Sequence, residues 1–213
     1  MSTARGPKAP TAQGGARPGL SIEDVVRAAF DVLDERGIAK LSTRAIAAKL
    51  DVSMNTVMWH IGAKRRLLEL MADAVVAEVE LGPLRGAWQW RAATLLARLR
   101  QAMLGHRDGA LVVAGTFPAL PSTLAFGDRL VGVLLTSGAR NQSAAGTAWN
   151  LFYFTLGLVQ EEQRATDGLP HNLSDVVDEA EYPSLHLVLG DFMSPDYDAR
   201  FKFGIGQILG SLG

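Results

Sequence analysis

LSTRAIAAKLDVSMNTVMWHIGAKRRLLELMADAV, residues 41–75, reads as two short helices joined by a tight turn and followed by a longer amphipathic helix. Ser42 opens the first short helix, residues 42–50, with Ala45, Ile46 and Leu50 inward and Thr43, Arg44 and Lys49 outward. Asp51 and Val52 make the turn, because Asp accepts the left-handed backbone conformation more readily than most residues. Ser53 caps a second helix from Met54, and Gly62 interrupts it. Residues 64–80 then put Leu67, Leu68, Met71, Ala74, Val75 and Val79 on one apolar side, and Gly82 and Pro83 stop that helix. Two short helices at this spacing form a helix-turn-helix unit. Such a unit packs through small and aliphatic groups, here Ala45, Ile46, Leu50, Val52 and Val57, and leaves Met54, Asn55, Thr56 and Met58 free for base edges in a major groove.

Upstream, Ser21 is a helix cap with Glu23 and Asp24 in the first turn. Ile22, Val25, Val26, Ala29, Phe30 and Leu33 recur at helical spacing, and Gly37 ends that helix. Residues 1–19, rich in Gly, Pro, Ala and Thr and carrying Arg5, Lys8 and Arg17, read as a disordered basic arm. Downstream, helical patterns occupy residues 88–106, 109–114, 124–135, 144–165 and 201–212. Residues 166–198, acidic and with three prolines, read as a loop with one short helix near residues 184–189. No alternating strand pattern appears, so the fold class is all-α: an N-terminal three-helix unit at residues 20–66 and a larger helical domain at residues 67–213.

The net charge of −1 conceals a bipolar chain. Residues 1–66 carry 11 Lys/Arg against 6 Asp/Glu, and residues 67–213 carry 10 against 16. A basic small part attracts phosphates while the acidic remainder keeps away from them. Arg44, Lys49, Lys64, Arg65 and Arg66 sit at the rims of the helix-turn-helix, where phosphates would lie, and Asn55 has the paired donor and acceptor that match adenine.

Several function classes are excluded. The chain has no cysteine, hence no thiolate metal site and no Cys nucleophile. Its longest nearly apolar run, residues 144–159, is broken by Gly146, Thr147, Asn150, Thr155 and Gly157 and is too short for a membrane span. The N-terminus has no hydrophobic stretch of the secretory kind, so a cytoplasmic protein without membrane contact is expected. No Gly-rich phosphate loop and no metalloprotease motif is present. His106-Arg107-Asp108 lies at a helix corner, where capping and ion pairing are the commoner roles. The residues alone leave open an all-helical small-molecule carrier or enzyme with a vestigial helix-turn-helix, and a ligand-dependent activator.

Residues 41–75, including the Trp59-His60 pair and the following Lys64, resemble the DNA-binding domain of the tetracycline-repressor family. GHRDGALVVAGTFP (residues 105–118) and FTLGLVQEEQ (residues 154–163) resemble the C-terminal domain of the repressor that gives the family its name. The resemblance implies a transcriptional repressor that is no enzyme and binds palindromic double-stranded operator DNA as a homodimer, with residues 67–213 holding a small effector and the dimer contacts. By position, Thr43 and Arg44 match DNA contacts of the positioning helix, and Met54, Asn55 and Thr56 match the base-reading start of the recognition helix. Met58, Trp59, His60 and Lys64 match positions that touch backbone or thymine methyls. Met54-Asn55 and Met58 depart from the family's Gln-Pro and Tyr, which implies a different operator sequence.

The family's effector pocket grips a magnesium-tetracycline chelate, and the matching positions here are changed. Val113 stands where the metal-binding histidine would, Phe117 replaces an arginine, and Glu80, Leu95 and Leu99 replace the drug-anchoring His, Asn and Phe; only Thr116 and Glu161 keep their type. Magnesium needs oxygen-rich ligands in octahedral geometry, which Val113, Leu95, Leu99 and Phe117 do not offer. The expectation is therefore a largely apolar, aromatic ligand with no metal and no cofactor, with Thr116, Arg129 and Asn150 as polar anchors and Phe126 and Trp149 as apolar wall. Residues 144–165 and 201–212 match the family's dimer helices, where Gly204, Gly206 and Gly210 would permit close approach.

Overall fold

A computed structural model describes residues 19–114, 116, 119–165 and 175–212. The expected arm thus lies outside the described residues apart from Gly19. Ser21 starts α1 (Ile22–Arg36) with a reciprocal cap. Its Oγ accepts from the Asp24 N–H at 3.1 Å, and the Asp24 carboxylate accepts from the Ser21 N–H at 3.0 Å. These bonds hold the Asp24 carboxyl below its ordinary pKa, the Ser21 backbone N–H first among them. Val25, Ala28, Ala29, Val32 and Leu33 form the buried face of α1, and Gly37, at φ +75°, ends it.

A 3-10 turn, Ile38–Lys40, leads into α2 (Thr43–Leu50), and Asp51 at φ 54° turns the chain into α3 (Met54–Ile61). Ile46, Ala47, Val57 and Ile61 close the small core against α1, giving a three-helix head. Helix α4 (Lys64–Ala77) leaves the head and enters the larger bundle, burying Leu67, Met71, Ala72, Val75 and Val76. It stops three residues before the expected Glu80. There the His106 ring takes the Glu78 carboxylate, and the Arg98 guanidinium takes the Glu80 carbonyl, drawing the chain out of helical register.

In the larger bundle α5 (Trp88–Leu104) is the central helix, packed against α4, α6 (Gly109–Val113), α7 (Pro121–Leu135), α8 (Asn141–Ala165) and α11 (Tyr197–Gly210). Two short helices, α9 (Pro183–Leu187) and α10 (Leu189–Phe192), replace the single one expected near residues 184–189. The described residues comprise these eleven helices and no strand, so the protein is all-α.

Arg100, nearly buried on α5, ties α8 and α11 together. Its guanidinium donates to both oxygens of Glu162 at 2.8 and 2.9 Å and to Asp198 at 2.5 Å. Of the three glycines expected to permit close approach between dimer helices, Gly204 is already in close contact within the protomer. A Cβ there would sit 2.1 Å from the Phe154 ring, whereas Gly206 and Gly210 face open space. No helix among the described residues is long and apolar enough to cross a membrane.

Candidate functional site

Helix α3 is anchored by Val57 and Ile61, which leaves the other six residues on its outer side. Their side chains fall into three i, i+4 pairs: Asn55 with Trp59 at the centre, Met54 with Met58 toward α2, and Thr56 with His60 on the far flank. Trp59 is 81% exposed, Met54 46% and Met58 38%. A tryptophan that exposed contributes little to the core of the head, so its ring is available to a partner. Met58 is steadied from α2, where the Thr43 hydroxyl donates to its sulfur at 3.7 Å. The Ser53 hydroxyl lies 2.9 Å from the Thr56 hydroxyl and accepts from the Thr56 N–H at 3.1 Å. Asn55, fully outward, keeps its amide for an external partner.

The cations around α3 divide into two sets. Lys49 is engaged by Glu35 and has Asp31 at 3.9 Å, and its hydrogen bond holds the Glu35 carboxyl below the ordinary carboxylate range. Lys49 therefore belongs to the support of the head rather than to a phosphate rim. Arg65 and Arg66 lean on Glu69 at 3.1 and 3.5 Å. Arg44 and Lys64 are exposed and make no ion pair among the described residues. Lys64 also opens α4, whose cap residue Ala63 offers no side chain to the free amides. A cation beside open helix amides favours a phosphate.

A cavity of about 190 Å³ lies between α4, α7 and α8, walled by Ala72, Val76, Val113, Phe126, Leu130 and Phe152 with Trp149 at its edge. Of the nine positions expected to touch a ligand, Val113, Thr116, Phe126 and Trp149 line it. Leu95 and Leu99 do not: both face α5's neighbours and are fully buried in the core. Arg129 is turned away, its Nε donating to the Leu81 carbonyl at 3.0 Å, where it holds the chain between α4 and α5. Asn150 is exposed on α8 outside the wall, and Phe117 lies outside the described residues.

Both hydroxyls of the cavity wall already donate within the protein and are left to a ligand only as acceptors. Thr116 donates to the Val113 carbonyl at 3.2 Å, and Thr123, which sequence reasoning missed, donates to Asp73. This wall presents apolar surface and, among the described residues, no imidazole or carboxylate, which is not the oxygen-rich set that a magnesium chelate needs. Among the described residues no group of three His, Asp or Glu side chains is placed to hold a metal ion.

The head meets the bundle at the 106–108 corner. Asp108 accepts from the Ile38 N–H at 2.7 Å, the Arg107 N–H donates to Asp34 at 3.0 Å, and His106 Nε2 lies 2.8 Å from a Glu78 oxygen. These contacts join α1 to the end of α4 and the corner after α5, while His106 Nδ1 is buried without a hydrogen-bond partner, 3.9 Å from an Asp34 oxygen.

Residues 25–71 match the family described as bacterial regulatory proteins, tetR family, and residues 82–212 match the tetracyclin repressor-like C-terminal domain. The class A tetracycline repressor protein from transposon 1721 of Escherichia coli is 34% identical over 197 residues, which span 91% of this chain and 90% of that protein. Among solved structures, a possible TetR family transcriptional regulator from Streptomyces coelicolor A3(2) aligns with a TM-score of 0.82 at 37% identity, covering 90% of this chain and 98% of the other. ActR from Streptomyces coelicolor, in complex with actinorhodin, aligns with a TM-score of 0.81 at 26% identity, covering 92% of this chain and 96% of the other.

Proposed function

The chain belongs to the tetR family, as a DNA-binding transcriptional repressor and not an enzyme, and from that premise we propose that it works in the cytoplasm as a homodimer on a palindromic operator and is released by a small, largely apolar, aromatic ligand. The observation that carries this reading is the outward face of α3, where Asn55 and Trp59 stand free of the core between the unpaired cations Arg44 and Lys64. In the groove, Asn55 pairs with a base edge, Thr56, Met54, Met58 and Trp59 make apolar contacts, and Thr43, Arg44, His60 and Lys64 hold the backbone.

Dimer formation is assigned to α8 and α11, whose outer faces expose Tyr153 and Phe203 at 59% and 71%. Aromatic groups left open on adjoining helices mark an interface, and a two-fold pair matches a two-fold operator. The ligand is assigned to the cavity below α4. Its walls ask for an apolar body with aromatic faces against Phe126, Trp149 and Phe152, and its two hydroxyls, already donating within the protein, reward only a ligand group that donates to them. Because α4 is both cavity wall and the continuation of the head, a ligand that prefers a displaced α4 weakens DNA binding by the same factor that DNA weakens the ligand.

The test uses the DNA upstream of the protein's own gene. The full chain is expected to form a sequence-specific complex whose affinity falls steeply with salt, and Lys64→Ala is expected to weaken the complex and flatten that salt dependence. A screen of aromatic compounds, actinorhodin among them, is expected to yield one that raises Tm and dissociates the complex. A chain that binds no DNA contradicts the reading. Stabilisation by magnesium-tetracycline alone contradicts the ligand assignment.

A further inference from the structure

Asp73 lies on α4 between two residues of the cavity wall, Ala72 and Val76, yet its side chain serves a different helix. Helix α7 starts after Leu120, which cannot cap it. The cap comes instead from Asp73: Oδ1 accepts from the Thr123 N–H at 2.7 Å and from the Thr123 hydroxyl at 2.8 Å, and Oδ2 accepts from the Ser122 N–H at 3.4 Å. A carboxylate at free helix amides is favoured by both hydrogen bonding and the helix dipole. Thr123 is itself part of the cavity wall. The bond thus spans the edge of the cavity, from the helix that carries the head to a helix of the bundle.

We propose that the Asp73–Thr123 clasp is the positioning element that couples the cavity to the DNA-binding head. It rests on the reading of this protein as a ligand-released repressor. The clasp holds α4 against the first turn of α7, which keeps the cavity tight and the head in its DNA-binding position. A ligand wedged among Ala72, Val76, Thr123 and Phe126 pushes α4 from α7 and works directly against those three hydrogen bonds. Two linked states follow: clasped, with high affinity for DNA and low affinity for ligand, and unclasped, with the reverse.

Linkage makes this testable with a signature that ordinary destabilisation lacks. If the clasp sets the balance between the two states, loosening it lowers operator affinity and raises ligand affinity by factors whose product is the shift in that balance. The measurements are operator binding by fluorescence anisotropy without ligand, and binding of the neutral fluorophore N-phenyl-1-naphthylamine, for the full-length wild-type chain, Asp73→Ala and Asp73→Asn. Removing several hydrogen bonds to a charged acceptor is expected to shift the clasped–unclasped balance by about a hundredfold, which for states of comparable population divides into about tenfold in each affinity. Asp73→Ala should bind operator about tenfold more weakly and the fluorophore about tenfold more tightly, with Asp73→Asn between it and the wild type.

Equal losses in both affinities, or a lower Tm with neither affinity changed, would overturn the clasp while leaving the repressor reading intact. A wild-type cavity that takes up no fluorophore also counts against it. Should Asp73→Ala fail to fold, Asp73→Asn, which keeps the size of the side chain and one acceptor oxygen, must still show opposite shifts. A wild-type chain without specific DNA binding removes both the clasp and the reading beneath it.

Discussion

Asn55→Ala is expected to lower operator affinity by a factor between about 30 and about 2 × 10⁴ while leaving the fold untouched. A side-chain amide paired to adenine is worth about 1–3 kcal/mol of discrimination, and a two-fold complex makes the contact twice, for a total of about 2–6 kcal/mol. Asn55 is exposed on α3 and the hydroxyl of neighbouring Thr56 is tied to Ser53, so no adjacent polar group stands ready to replace the amide. Alanine is a better helix former than asparagine, and an exposed position tolerates it within about 0.5 kcal/mol. The loss must therefore be in binding. Since the amide carries no charge, the salt dependence of the remaining affinity should match the wild type, in contrast to Lys64→Ala. Equal affinity of Asn55→Ala and wild type for the operator, measured by anisotropy at fixed salt, would remove Asn55 from the base-reading set.

The second large effect concerns a residue with no side chain at all. Gly109→Ala places a Cβ 2.1 Å from the Met103 carbonyl oxygen, 3.0 Å from its carbonyl carbon and 3.3 Å from the His106 Cβ. The first two atoms are backbone at the end of α5, so nothing can swing aside. The corner itself is held on every side: the Gln163 side chain donates to the Met103 and His106 carbonyls at 3.1 and 2.8 Å and accepts from the Ala110 N–H at 3.1 Å. Overpacking of this kind costs about 3 kcal/mol or more, which for a chain of this size is a fall in Tm of about 6–12 °C. Because residues 106–108 hold α1 and α4, the same change should also loosen the head from the bundle. Gly132→Ala on α7, where the added Cβ meets nothing within 4 Å, is the control and is expected to be neutral or mildly stabilising. Similar Tm values for the two variants would show the 103–109 corner to be pliable.

The head was legible in the sequence because each of its signals is local. Ser21, Ser42 and Ser53 cap their own helices, Gly37 and Asp51 take the left-handed turns, and the burial of Val25, Ile46, Val57 and Ile61 follows helical spacing. The bundle was less legible where a signal comes from elsewhere in the chain. Helix α7 begins three residues before Leu124 because its cap is Asp73, some fifty positions away, and no local residue announces it. Helix α11 begins four residues before Phe201 because Asp196 caps it, and in the sequence that aspartate merges into an acidic loop.

The ligand positions suffered in the same way. Leu95 and Leu99 occupy positions that touch drug in the tetracycline repressor, but with aliphatic side chains they join the core around α5. Arg129 has a long reach and finds the Leu81 carbonyl. Thr123 and Ala72 gave no sign of lining a cavity, since small residues on helices are common and only the packing of α4 on α7 leaves space beside them.

Hydroxyl-radical footprinting of the full chain on its operator tests the central claim most directly, because it reads where the backbone is covered by two α3 helices at once. Two protected patches related by a two-fold axis, centred about 34–36 Å apart along one face of the duplex, are the predicted result. A single patch, or protection with no symmetry in the underlying sequence, would mean that α3 does not enter paired major grooves and that this chain does not act as a two-fold repressor.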